Sequence, residues 1–449
     1  MLNARLSRWT MTYFSCALIN FILALGMMVS GHTYPALSFS SPSNLIAVHL
    51  MTIGWLSLLM LGALAQFVPV ITNNPLPSQP GMLAGLILLE AGLLNMVMGF
   101  LALNGSFPLS MKILLPIGGT LVLTGFFLDI WNIAVPLVRT RPIQLPAKML
   151  LTSLGFLILT LCIGLCFAIG FGADQSPLEL YPLLSNGLPI HILAGLVGWL
   201  GFTAIGVGYK LLPMFMLAPE DRGHWGTGVW GTLATGLTLF VLTGLFNLWF
   251  PNPILHTCEK LGLILLISGL VIYIVDITRL YHSRQRKTLE LNSTAAAMAL
   301  TLFAPAILTG AAAIFDASSF LPATVFIFMF GYLSGLGLSQ LYKIVPFLTW
   351  LDRFGIKLGQ GPVPRVQDLV IEARAKPWFI IYFAGVAINT SLLFWKISSM
   401  FELVAFIQLI AVLALIREFW HARHPDQDLI SKKPRLSPNT LEKISHEPQ

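Results

Sequence analysis

Two of the nine histidines in this 449-residue chain, His49 and His191, lie inside long apolar runs. An imidazole in such a place can ligate a metal, carry a proton or pack through a hydrogen bond. The others have polar surroundings: His224, His282, His421, His424 and His446 fall in hydrophilic connections or the tail, and His32 and His256 flank apolar segments. These read as solvated residues, with a metal contact at His32 or His256 the sharper alternative. Glu90, Asp129, Asp276, Lys210 and Lys343 also put charge-bearing side chains into otherwise apolar sequence. A charge buried there is costly unless it is paired or neutralised, so each is a candidate polar or proton-handling site.

The elements that position these residues follow from composition. The chain is 56% apolar and only 10% charged, with a formal net charge of +7, and its mean hydropathy is +0.80. That excludes a soluble globular enzyme, a disordered chain, a disulfide-stapled module and a nucleic-acid reader. Cys16, Cys162, Cys166 and Cys258 lack metal-finger spacing and read as small packing residues. A bilayer core needs about 20 apolar residues per helix. Twelve such stretches begin near Thr10, Leu45, Met82, Leu109, Met149, Pro189, Gly226, Ile254, Thr294, Thr324, Trp378 and Glu402. Arg5 and Arg8 precede the first, which reads as a retained helix.

An even number of crossings puts both termini on one side. Of the 26 Lys and Arg residues, all but Lys112, Lys260 and Lys396 then fall on the terminal side, including Arg139, Arg141, Arg284, Arg286, Lys287 and the tail residues Lys432, Lys433 and Arg435. Positive charge marks the cytoplasmic face. The expected location is therefore a bacterial-type inner membrane with both termini cytoplasmic and the lipid bilayer as the main partner.

Laying helices two, six and ten over one another exposes a repeat. Helix two reads Gly54-Trp55-Leu56, then Gly62, Gln66 and Pro69; helix six reads Gly198-Trp199-Leu200, then Gly206, Lys210 and Pro213; helix ten reads Gly331-Tyr332-Leu333, then Ser339, Lys343 and Pro346. The first glycines are 144 and 133 residues apart, four helices each time. A second echo places Asp129-Ile130, Asp276-Ile277 and Glu418-Phe419 in the fourth helix of each unit. The expected architecture is all-α and polytopic, with repeat units at 1–143, 144–288 and 289–420 in a pseudo-threefold ring and a polar tail at 421–449. Small residues at the repeat positions let helix backbones approach closely within a membrane.

Within this frame His49 stands five residues before its repeat glycine and His191 seven before its own. Two residues is about 200° of helix rotation and about 3 Å of rise. The two imidazoles can therefore face one gap between neighbouring units from opposite sides, as a planar cofactor with two axial ligands requires. Haem b held by His49 and His191 is the leading expectation. Separate structural or proton-handling histidines, and copper or another metal, are the alternatives.

The segments His49-Leu50-Met51-Thr52-Ile53-Gly54-Trp55, His191-Ile192-Leu193-Ala194-Gly195-Leu196-Val197-Gly198-Trp199 and Leu341-Tyr342-Lys343-Ile344-Val345-Pro346-Phe347 resemble the haem–copper oxidase subunit I superfamily. The likeness is to its short, stand-alone cbb3-type and nitric-oxide-reductase-like relatives, and it spans essentially the whole chain. It implies twelve helices in pseudo-threefold order and haem chemistry. In that family, histidines of helices two, six, seven and ten hold two haems and copper. Here helix ten carries Thr324 and Phe326 at the corresponding positions, and helix seven, from Gly226 to Trp249, has no histidine. A copper centre needs about three imidazoles, so proton-pumping oxygen reduction is not expected.

The expected function is that of a membrane b-type haem protein with one bis-histidine haem and no copper. Electron transfer, haem or gas sensing and a nitric-oxide response are its candidate roles, with a quinol or a cytochrome as electron partner. The competing readings are a cofactor-free transporter and an oxidase accessory or assembly protein. Salt bridges between Gln66, Lys210 and Lys343 on one side and the Asp129 and Asp276 set on the other, or proton or anion access at that end, complete the expectations.

Overall fold

The computed structural model describes residues 8–33, 40–219, 224–315, 317–358, 363–397 and 399–425. Arg5, Lys432, Lys433, Arg435 and His446 lie outside the described residues, as does most of the tail. Among the described residues every regular element is helical. Twelve helices are long and apolar enough to cross a membrane: α1 Thr10–Val29, α2 Pro42–Thr72, α3 Gln79–Leu103, α4 Leu109–Arg139, α5 Leu145–Gly172, α6 Leu188–Met216, α7 Trp225–Trp249, α8 Pro253–His282, α9 Leu291–Ala312, α10 Phe320–Phe354, α11 Glu372–Phe394 and α12 Phe401–Arg423.

Most of these helices start earlier than their apolar runs. Ser41, Ser78 and Asn252 cap the starts of α2, α3 and α8 by accepting backbone N–H groups, each with a proline in the first turn. A capping side chain and a preset proline begin the helix before hydrophobicity does. His49 consequently lies eight residues into α2 and not in its first turn, whereas His191 does sit near the start of α6.

α2, α6 and α10 are the most enclosed helices, each with 67% of its central window buried against 33–44% for the rest. The outer helices turn side chains such as Ile87, Leu94, Leu242 and Leu308 outward, each at least half exposed. An apolar outer surface of this kind is what a lipid environment accepts.

Each of the three inner helices contains one eight-residue π-helical segment: Leu50–Ser57, Ala194–Gly201 and Ile327–Ser334. Their starts are 144 and 133 residues apart, the spacing of the repeat glycines. Their aromatic residues tie the inner helices together. Trp55 Nε1 donates to Ser334 Oγ at 2.9 Å, and Trp199 Nε1 donates to Ser57 Oγ at 2.8 Å.

The hairpins α3–α4 and α7–α8 cross at reciprocal glycines. A Cβ on Gly92 would lie 2.8 Å from the Gly118 carbonyl oxygen, and one on Gly236 would lie 2.9 Å from that of Gly262. Both members of the second pair are 144 residues beyond those of the first.

Candidate functional site

α2 and α6 pack against each other through their π-helical segments, and His49 and His191 lie at or just before the starts of those segments. His49 is held from its own helix: its Nδ1 meets the Leu45 carbonyl oxygen at 2.6 Å. A carbonyl accepts only, so Nδ1 carries the hydrogen and Nε2 keeps a free lone pair. Phe100 of α3 covers the His49 ring, with centroids 5.4 Å apart.

His191 is held by α5. Phe167 meets its ring edge-on at 5.6 Å. Gly164 leaves room for the ring, since a Cβ there would lie 3.1 Å from His191 Cε1. Its Nδ1 is buried and lies outside ordinary hydrogen-bond geometry, and the Thr160 backbone carbonyl of α5 is the nearest acceptor acting on the ring. A buried polar nitrogen without a well-formed hydrogen bond is costly in a finished packing site and useful in a ligand site. Among the described residues no group of three or more His, Cys, Asp or Glu could hold a bare metal ion. Two imidazoles without a carboxylate or a third ligand suit a group that brings its own equatorial donors, as haem does.

The gap between α2 and α10 is different in kind. Thr324 bonds back to the Phe320 carbonyl oxygen at 3.0 Å, and Phe326 stacks on Phe330 at 4.6 Å and meets Phe401 edge-on at 5.6 Å. The space left there is a cavity of about 50 Å³ lined by Met28, Met51, Met329, Phe326 and Phe330 among others. Its residues supply no imidazole, so they do not fit a haem.

No known protein-family model and no curated protein matches the chain.

The remaining sequence-predicted residues pair otherwise than across the expected sets. Gln66 Nε2 donates to Thr10 Oγ1 at 2.6 Å. Asp129, fully buried, meets the Tyr13 hydroxyl of α1. Asp276 accepts from the Tyr209 hydroxyl at 3.0 Å and pairs with Arg279 at 3.5 Å. Lys343 pairs with Glu290, in the loop before α9, and Arg286 reaches the same carboxylate at 2.7 Å. With Tyr13 on Asp129, Tyr209 and Arg279 on Asp276, and Arg374 on Glu418 at 3.0 Å, the expected acidic partners are already engaged. Lys210 lines a small pocket with Thr72, Thr140 and Gln144.

Outside the membrane-spanning segments, burial pushes the Glu290 carboxyl up, but the hydrogen bond and charge of Lys343 and the charge of Arg286 outweigh it and hold it below its ordinary value.

Glu90, midway along α3, accepts from Asn20 Nδ2 at 2.9 Å. Tyr13, Cys16 and Asn20 were not among the expected site residues. Their signal is a polar strip at helical spacing in the first apolar run, readable only once α3 and α4 are known to lie against it.

Proposed function

We propose that the chain is a membrane b-type haem protein related to haem–copper oxidase subunit I, with one haem between His49 and His191 and no copper centre. The observation that carries this reading is that the adjoining helices α2 and α6 each carry one intramembrane imidazole, His49 with its Nε2 lone pair free and His191 with a buried Nδ1 outside ordinary hydrogen-bond geometry.

His49 and His191 would hold the haem, which would supply a one-electron iron couple, and a pair of imidazole ligands suits electron transfer, or the sensing of haem or a gas, more than substrate chemistry. Leu45 fixes the His49 tautomer and raises the basicity of the free nitrogen. Phe100 and Phe167 shield the two rings from water, and Gly164 lets the His191 ring lie against α5.

The same reading takes the chain as three four-helix units, 1–143, 144–288 and 289–420, in a pseudo-threefold ring. The recurrence of the π-helical segments at 144 and 133 residues supports it, as do the glycine crossings repeated at 144 residues and the Trp-to-Ser bonds between inner helices. The charge distribution in the sequence supports a bacterial-type inner membrane with cytoplasmic termini.

The test is a reduced-minus-oxidised spectrum of the full chain purified in detergent from haem-replete cells. Haem b bands are expected, lost in His49→Ala and in His191→Ala and kept in Thr324→Ala. Absence of haem from the folded wild-type chain overturns the reading and leaves the transporter or accessory-protein alternative.

A further inference from the structure

Along α1, Tyr13, Cys16 and Asn20 form a strip that meets two carboxyls in the terminal-side half of the bundle. The Tyr13 hydroxyl oxygen lies 2.9 and 3.1 Å from the two Asp129 carboxyl oxygens and 2.8 Å from the Met82 carbonyl oxygen. Tyr13 and Asp129 are both fully buried.

A hydrogen count constrains this cluster. A tyrosine hydroxyl has one hydrogen, a backbone carbonyl only accepts, and an ionised carboxylate only accepts. With Asp129 ionised, one hydrogen would serve both acceptors, and one close oxygen–oxygen contact would have none between its atoms. A hydrogen on Asp129 removes the conflict: the acid donates to Tyr13, and Tyr13 donates to Met82.

The surroundings point the same way. No described basic residue pairs with Asp129, whereas Arg279 reaches Asp276 and Arg374 reaches Glu418. Of the three echoed acidic positions, Asp129 is the one without a cation, and it is the most deeply buried, at 0% against 2% and 8% exposed. An unpaired buried carboxylate is far costlier than a neutral acid. Gly85 makes the space, because a Cβ there would lie 2.7 Å from Asp129 Oδ1.

We propose that Asp129 is a proton-holding carboxylic acid and that Asp129 and Tyr13 load protons along a line on α1 toward Glu90, from the terminal end of the bundle to mid-membrane. The titratable groups facing this line are Tyr13 and Cys16 of α1, Glu90 of α3 and Asp129 of α4. α2 contributes the neutral Gln66, held on Thr10.

Transfer moves protons only. Asp129 gives its hydrogen to the Tyr13 oxygen as the Tyr13 hydroxyl turns from Met82 and releases its own along α1 toward Glu90. Asp129 recovers a proton from the terminal side of the bundle. The ligand is therefore the proton itself, and the line stands whether or not haem is bound.

Infrared spectroscopy of the full chain in lipid nanodiscs tests it. The carbonyl stretch of a protonated carboxyl is expected at neutral pH, absent from Asp129→Asn and kept in Asp276→Asn. A Glu90 band, identified by its loss in Glu90→Gln, is expected to shift on transfer to D2O and to do so about a hundredfold more slowly in Tyr13→Phe. ¹³C labelling of aspartate carboxyls assigns the Asp129 band in the unaltered chain should Asp129→Asn fail to fold. Absence of a protonated-aspartate band, or Glu90 exchange unchanged by Tyr13→Phe, overturns the proposal. Neither readout depends on haem, so its failure is distinct from a failure of the haem reading.

Discussion

Trp55 of α2 donates its indole N–H to Ser334 of α10 at 2.9 Å, and Trp199 of α6 makes the same kind of bond to Ser57 of α2 at 2.8 Å. Both bonds are buried and join helices more than a hundred residues apart in sequence. The third inner pairing has no serine to receive it. Gly201 occupies that place, facing Phe328 of α10, whose ring atom would lie 3.6 Å from a Cβ there.

Removing either acceptor strands a buried indole donor, so Ser334→Ala and Ser57→Ala are each expected to cost about 1–3 kcal/mol. Unfolding by SDS titration in mixed micelles measures this. Gly201→Ala, which breaks no such bond, is expected to change stability by less than either.

At the α3–α4 crossing, Gly92→Ala puts a methyl 2.8 Å from the Gly118 carbonyl oxygen. The backbones must separate, at an expected cost of about 1–3 kcal/mol. Gly228→Ala in α7 meets nothing within 4 Å, and helix propensity alone predicts a gain of up to about 1 kcal/mol. Opposite signs in the same unfolding assay check the argument.

The repeat was legible because glycine, aromatic and proline residues recur in strict register through α2, α6 and α10. The unequal offsets of His49 and His191 within it are the ground for the proposed shared gap. The π-helical segments were not legible, since a one-residue widening leaves no mark in apolar sequence. Glu290 was missed as the partner of Lys343 because it lies 53 residues earlier, in a loop whose path only the fold defines. The strip of Tyr13, Cys16 and Asn20 was hidden among the packing positions of a helix that sequence treats as a plain crossing.

Stability should depend on pH through Glu290. Its carboxyl titrates below its ordinary value because Lys343 and Arg286 outweigh burial. A depressed acid stabilises the fold fully above the unfolded value, about 4.3 for glutamate, and that contribution is lost as pH falls through the lower folded value. Unfolding measured between neutral pH and about pH 3 should weaken less steeply in Glu290→Gln than in the unaltered chain.

Gly164→Ala crowds the His191 ring at 3.1 Å without removing a ligand. On the proposed haem reading, haem retention should fall by about tenfold, equivalent to about 1.4 kcal/mol, with helical content unchanged by circular dichroism. Retention equal to that of the unaltered chain would show that the His191 ring is not held against α5.

In α2 and α6 the π-helical segment starts just after or within a few residues of the histidine and ends in the Gly-aromatic packing motif. A single residue inserted into a helix turns everything beyond it by about 100°. The segment thus works as a rotary coupling: the histidine-bearing end can be re-aimed while the other end stays locked to its neighbours. Variation at the coupling would let one scaffold present its outer residues to different gaps, so the direction a histidine faces need not be inherited with the packing that supports it.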